Sequence, residues 1–156
     1  SLQLHVKALG QHMQLPALLA QVDADTRIYA CGPDRLIDEL ETLSAQWPEG
    51  VLHFEHFNAG SALDPDKEHG FTAALKDSDI TVQVRADQTL LQALQAAGID
   101  VPCDCNEGLC GTCEVNVIEG DIEHRDKVLT KTERATNQRM MACCSRARGS
   151  NIVLAL

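Results

Sequence analysis

Cys105-Asn106-Glu107-Gly108-Leu109-Cys110-Gly111-Thr112-Cys113 sets three thiols at the spacing C-x4-C-x2-C, and 29 residues separate Cys113 from Cys143. That spacing is a known ligand pattern for a two-iron, two-sulfur cluster. The chemistry explains the pattern. Each ferric iron takes two thiolates, so a short loop with three of them must wrap closely round an inorganic core. Gly108 and Gly111 allow positive φ, and they let backbone N–H groups approach sulfur without a Cβ in the way. Those N–H groups can then point at the sulfides and offset their negative charge. Cys105, Cys110, Cys113 and Cys143 are the candidate metal ligands.

Other uses of the cysteines fit less well. Structural zinc more often takes two short pairs, and here only Cys110 and Cys113 form one. A disulfide framework suits small secreted chains, but the seven cysteines are an odd number and no signal peptide is expected ahead of them. A reducing cytoplasm is the expected compartment, with Cys31, Cys103 and Cys144 as free thiols. The six histidines show no paired metal spacing.

Composition narrows the class further. The chain of 156 residues is 44 % hydrophobic without a long apolar run, so no membrane span is expected. A net charge of −10 argues against nucleic acid as a partner. The acid excess is uneven: residues 1–69 hold 11 acids against 4 Lys and Arg, whereas residues 70–156 hold 12 against 9. Such asymmetry agrees with two units.

Residues 1–57 alternate between strand and helix patterns. Leu2 to Val6 and Arg27 to Cys31 read as strands, and Pro16 opens a helix that runs toward Val22. Gly32-Pro33 makes a sharp turn. Leu36, Ile37, Leu40 and Leu43 then give Asp34 to Ala45 the spacing of an amphipathic helix. Trp47-Pro48-Glu49-Gly50 breaks it, and Val51 to Phe57 reads as a third strand. The pattern is doubly wound and parallel, yet it lacks a Gly-rich first turn and amounts to half of a nucleotide-binding fold. By itself, Cys31 reads as a small buried residue at a strand end.

Residues 58–70 have a linker composition, with Gly60, Ser61, Pro65 and several charges. Beyond them, Phe71 to Leu75 and Ile80 to Val84 suit a hairpin. Thr89 can cap a helix from Leu90 to Ala97, which Gly98 ends. After the cysteine loop come a strand at Glu114 to Ile118, a turn at Glu119-Gly120-Asp121 and a short helix at Lys131 to Thr136. A strand through Met140 to Cys143 follows, and Asn151 to Leu156 closes the chain as another. This second unit, residues 71–156, reads as a small α+β roll. On a strand, successive side chains point to opposite faces, so Cys143 and Cys144 are expected to face apart, with Cys144 a small apolar filler.

With these stretches in hand, residues 70–156 resemble a plant-type, β-grasp-like ferredoxin domain, and Cys105, Cys110, Cys113 and Cys143 fall on its four ligand positions. The whole chain resembles the C-terminal part of the phthalate dioxygenase reductase family, which includes the vanillate demethylase reductases. The resemblance is carried by Tyr29-Ala30-Cys31-Gly32-Pro33, Val51 to Phe57, Cys110-Gly111-Thr112-Cys113, His124-Arg125-Asp126 and Cys143-Cys144-Ser145-Arg146-Ala147. In that family an FMN-binding barrel comes first, an NADH-binding domain second and the ferredoxin domain last.

The resemblance implies that residues 1–57 are the C-terminal half of the NADH-binding domain. It also places Cys31, Gly32 and Pro33 beside the nicotinamide and Phe57 near the flavin. The FMN barrel and the Gly-rich pyrophosphate turn have no counterpart in these residues. The chain alone is therefore expected to hold the 2Fe-2S cluster but neither FMN nor NADH. The implied role is an electron-transfer module that receives electrons from NADH through FMN in an N-terminal part. It would hand them singly to a Rieske oxygenase component. A stand-alone ferredoxin fused to an interaction domain and a zinc-stapled binding module are the alternatives. Asp104, Glu107 and Glu114 flank the cluster, either as solvated charges or as charges that lower its potential or match a basic patch on an acceptor.

Overall fold

The computed structural model describes residues 3–20, 22–23, 25–48, 50–57, 63–64 and 66–156. Leu2 of the first expected strand, Glu49 of the expected helix-breaking turn, and Asn58, Gly60, Ser61 and Pro65 of the expected linker lie outside the described residues. The chain divides into two compact units, Ser1–His56 and Phe57–Leu156.

The first unit is built on a strand–helix–strand crossover. Strand β1 (Ile28–Cys31) and strand β2 (Leu52–Glu55) pair in parallel, with Tyr29 opposite His53 and Cys31 opposite Glu55. Helix α1 (Leu15–Leu19) precedes them, and helix α2 (Asp34–Leu43) connects them. Ile37 and Leu40 on α2 are buried, as is Leu15 on α1. Burying such a side chain stabilises by about 1.5–3 kcal/mol.

The expected strand at the start of the chain does not form. Residues 3–6 carry no regular structure, and a single 3-10 turn follows at Lys7–Leu9. The physical reason lies in the backbone. A strand exists only where its N–H and C=O groups meet a neighbouring strand, and those of Val6 are taken locally. Its carbonyl accepts from Leu9 N at 2.9 Å and Gln11 N at 3.2 Å, and its N–H donates to Gln11 Oε1 at 3.3 Å. Leu4 and Val6 stay exposed. Alternation over five residues was a pattern without a partner.

The second unit is a five-stranded mixed sheet with a helix packed into its core. Strands β3 (Phe71–Leu75) and β4 (Ile80–Val84) form the expected antiparallel hairpin. Helix α3 (Leu90–Ala96) begins at a reciprocal cap. Gln92 N donates to Thr89 Oγ1 at 3.1 Å, and Thr89 N donates to Gln92 Oε1 at 3.0 Å. Such a cap is worth about 1 kcal/mol.

Beyond the cysteine loop, the chain continues through strands β5 (Glu114–Glu119) and β6 (Ile122–Glu123), helix α4 (Lys131–Thr136), and strands β7 (Arg139–Met141), β8 (Arg146–Ala147) and β9 (Asn151–Leu154). The large sheet runs β4-β3-β9-β5-β7, and β6 pairs separately with β8. Strands β3 and β9 are parallel, whereas the other pairs in the sheet are antiparallel. One continuous core joins Leu90, Leu91, Ala93 and Leu94 of α3 to Phe71, Ala73 and Leu75 of β3 and Ile152 and Leu154 of β9. Cys113 and Cys143 belong to the same core, so the cysteine loop is anchored in the packed interior at one end.

A second expectation needs correcting here. Strand β7 ends at Met141, and Ala142 to Cys144 form a turn rather than its continuation. Cys144 N and Ser145 N both donate to Met141 O, at 3.3 and 3.0 Å, and these bonds bend the chain. Ala142 N donates to Cys113 O at 3.0 Å while Ala142 O accepts from Leu91 N at 2.9 Å. The alternation of faces that a strand imposes is therefore lost at Cys143 and Cys144.

Candidate metal centre

The cysteine loop turns by residues that accept positive φ. Asn106 stands at φ +57°, Gly108 at +76° and Gly111 at +81°. These turns aim backbone donors at sulfur. Glu107 N and Leu109 N each donate to Cys105 Sγ at 3.4 Å. Glycine is required at 108, because a Cβ there would lie 2.5 Å from Cys144 Sγ and 3.1 Å from Asp126 Cα.

The four cysteines at the ligand spacing stand in two pairs. Cys105 and Cys110 interact through their thiols at the loop's outer edge, where Cys110 is exposed and Cys105 half-buried. Cys113 and Cys143 neighbour one another and are buried at 3 % and 4 % exposure. Among the described residues, no three His, Cys, Asp or Glu side chains gather as a group able to hold a single metal ion. Two pairs of thiols, the outer one with two backbone donors on Cys105, fit a two-iron group in which each iron takes two thiolates.

The thiols differ electrostatically as their surroundings demand. Cys110 Sγ lies 3.2 Å from Thr112 Oγ1. That hydrogen bond comes first, and those with the Cys105 backbone, the Thr112 backbone and the Cys105 thiol follow. Together they draw Cys110 down to about 6. The neighbouring Cys143 and burial push Cys113 well above the ordinary thiol range. At Cys143 the neighbouring Cys113 thiol acts downward, but the neighbouring Cys144 and burial prevail and push it up to about 12. Metal must therefore displace protons from the inner pair.

A second layer holds the loop from behind. Lys127 N donates to Gly108 O at 2.9 Å. Asp126, only 1 % exposed, accepts from Val128 N at 3.1 Å and Leu129 N at 2.8 Å, and its other oxygen accepts from Ser145 Oγ at 3.4 Å. His124-Arg125-Asp126 thus combines a self-bonded turn with a longer reach. Arg125 grips Glu68 and Glu123, and Arg146 is buried with hydrogen bonds to the carbonyls of His69, Arg85 and Gln88. The sequence marked Arg146 only as part of the stretch Cys143 to Ala147 and gave no reason for its burial, and it left Glu68 among the charges of the expected linker. Of the flanking acids, Glu114 pairs with Arg139 at 3.5 Å, and Arg139 also holds Glu133 at 2.6 Å.

In the first unit, Cys31 ends β1 and Pro33 is the residue before α2. Cys31 is exposed rather than packed at its strand end, because it sits where the chain leaves a two-stranded sheet. With Tyr29, Ala30, His53, Phe54 and Glu55 it lines a cavity of about 170 Å³. Tyr29 and His53 stack there, 4.8 Å between ring centroids. Gly32, Pro33 and Phe57 are not among the lining residues, and Phe57 is exposed just beyond β2.

Comparison with known proteins bears on this arrangement. Residues 73–148 match the 2Fe-2S iron-sulfur cluster binding domain. Over 148 residues, 94 % of this chain, the sequence is 40 % identical to the vanillate O-demethylase oxidoreductase of Pseudomonas sp. (strain HR199 / DSM 7063), covering 46 % of that protein. The structure of phthalate dioxygenase reductase, described as modular for electron transfer from pyridine nucleotides to [2Fe-2S], aligns with a TM-score of 0.65 at 30 % identity, covering 94 % of this chain and 45 % of that one. An intact type IV self-sufficient cytochrome P450 monooxygenase aligns with a TM-score of 0.82 at 53 % identity, covering 99 % of this chain and 20 % of that one. The chain spans about half the length of the curated relatives it matches.

Proposed function

From the chain's membership of the phthalate dioxygenase reductase family, as the C-terminal part with its 2Fe-2S iron-sulfur cluster binding domain, we propose that it is an electron-transfer module. It takes electrons one at a time from a reduced flavin in an N-terminal part of the parent protein and passes them to an oxygenase. The observation that carries this reading is the pairing of thiols, Cys105 with Cys110 outside and Cys113 with Cys143 inside. Those four residues are the ligands. The bound cluster supplies a one-electron centre at low potential, about −400 mV for plant-type clusters.

The residues around it do the rest. Cys113 and Cys143 fix the inner end in the core, while exposed Cys110 and Thr112 bring the outer end to the surface. An acceptor docked against Cys110 and Thr112 would receive electrons across a short gap, through a small transient interface. No acid, base or nucleophile is needed. Cys31, Gly32 and Pro33 would meet the nicotinamide of NADH, and Phe57 the FMN, only when the N-terminal part is present.

Two acceptors fit. Reductases such as the vanillate and phthalate relatives point to a Rieske oxygenase component. The higher identity to the self-sufficient P450 monooxygenase, 53 % against 40 %, favours a haem monooxygenase as the acceptor. The test is Cys→Ser substitution at positions 105, 110, 113 and 143 in turn, with Cys31 and Cys103 as controls. Each of the four should lose or badly weaken the visible spectrum, since a hard alcohol replaces a soft thiolate, and the controls should keep it. Stopped-flow mixing of the reduced protein with a Rieske oxygenase and with a P450 haem domain then separates the acceptors. Retained spectra in all four variants would contradict the assignment.

A further inference from the structure

Gly108 is held on two sides, between two residues whose N–H groups donate to Cys105 Sγ at 3.4 Å, Glu107 and Leu109. Its carbonyl accepts from Lys127 N at 2.9 Å, and its Cα rests on Cys144 Sγ, so closely that a Cβ would stand 2.5 Å from that sulfur. Cys144 cannot easily move away. It is 2 % exposed, its N–H donates to Met141 O at 3.3 Å, and its sulfur lies 3.9 Å from both Met141 O and Ser145 Oγ. Ser145 is fixed in turn by Asp126 and by Arg125 N, which donates to Ser145 Oγ at 3.2 Å.

We infer that Cys144 is a positioning residue for the cluster: its buried thiol seats Gly108 so that the N–H groups on either side of it, those of Glu107 and Leu109, point at the Cys105 thiolate and set the reduction potential. This rests on the proposed binding of a two-iron, two-sulfur group by Cys105, Cys110, Cys113 and Cys143. A donor aimed at a ligand thiolate favours the more negative, reduced state and so raises the potential. A longer side chain at 144 would push Gly108 outward, and a shorter one would let it sink. Either change weakens the hydrogen bonds from Glu107 N and Leu109 N to Cys105 Sγ and lowers the potential. Serine, close in size to cysteine, preserves the seat.

The test uses the whole chain with its cluster, as wild type and as Cys144→Ser, Cys144→Ala and Cys144→Val, with Cys103→Ala as an exposed control. Iron and acid-labile sulfide are assayed first, followed by a dye-mediated redox titration and thermal unfolding. The expected result is a full cluster in Cys144→Ser at the wild-type potential and a downward shift in Cys144→Val and Cys144→Ala. The EPR g-values of the reduced state should change with that shift. If Cys144→Val holds no cluster, Cys144→Ala decides. A loaded Val or Ala variant at the wild-type potential overturns the inference, and so does loss of iron in Cys144→Ser, which would make Cys144 a ligand. Wild-type chain without iron and sulfide would instead overturn the underlying cluster reading.

Discussion

Glu68 holds Arg125 through both carboxylate oxygens, at 2.6 and 2.9 Å, and lies 3.0 Å from Arg146 Nε at ion-pair distance. One acid thus links the segment before β3 to the β6–β8 corner and to the buried guanidinium above Phe71, whose ring centroid is 5.2 Å from Arg146 Cζ. Composition alone assigned residues 58–70 to a linker, but Glu68 belongs to the packed unit.

Glu68→Gln should therefore destabilise the second unit by about 2–4 kcal/mol, since it leaves Arg146 buried without its counter-charge. The hydrogen bond from Arg125, with the charges of Arg125 and Arg146, holds the Glu68 carboxyl below the ordinary glutamate value of 4.5, against burial. A lowered folded pKa means the contribution is present above the unfolded pKa and lost as pH falls through the folded one. The difference in urea midpoint between wild type and variant should be full at pH 7 and should shrink below about pH 4.5. An unchanged midpoint at pH 7 would show the ion pair to be dispensable.

Cys110 offers a pH test in the cluster-free protein. With its thiol drawn down to about 6, chiefly by the Thr112 hydroxyl, its alkylation rate should rise through an inflection near that pH and then level off. Thr112→Val should move the inflection upward. Peptide mass spectrometry should also find buried Cys113, Cys143 and Cys144 alkylated last. An inflection that ignores Thr112 would remove the proposed cause.

Two glycines with similar φ should respond differently to alanine. At Gly98, φ +81°, an added Cβ would meet nothing within 4 Å, so Gly98→Ala costs only the left-handed strain of about 1–2 kcal/mol. Gly108→Ala adds the collision with Cys144 and Asp126. Thermal unfolding and iron content should show a modest loss of stability in the first and a failure to retain iron in the second. Equal behaviour would mean that the loop relaxes freely.

Much of this was legible in the sequence because local chemistry and tertiary structure agree. The C-x4-C-x2-C spacing, the β3–β4 hairpin, the Thr89 cap and the short helix at Lys131–Thr136 each carry their own signal. What could not be read depends on distant partners. Val6 spends its backbone groups on Gln11 and Leu9 instead of a sheet, and Met141 O bends the chain that carries Cys143 and Cys144. The burial of Arg146 depends on carbonyls of residues 69, 85 and 88, which no motif connects to it.

The central claim is that Cys105, Cys110, Cys113 and Cys143 hold a two-iron, two-sulfur cluster. Iron, zinc and acid-labile sulfide analysis of the purified, reconstituted chain, combined with EPR, tests it most directly. The account predicts two irons and two sulfides per chain, a red-brown colour, no EPR signal when oxidised and a spin-one-half signal after one-electron reduction. One zinc per chain with no visible absorbance would contradict it.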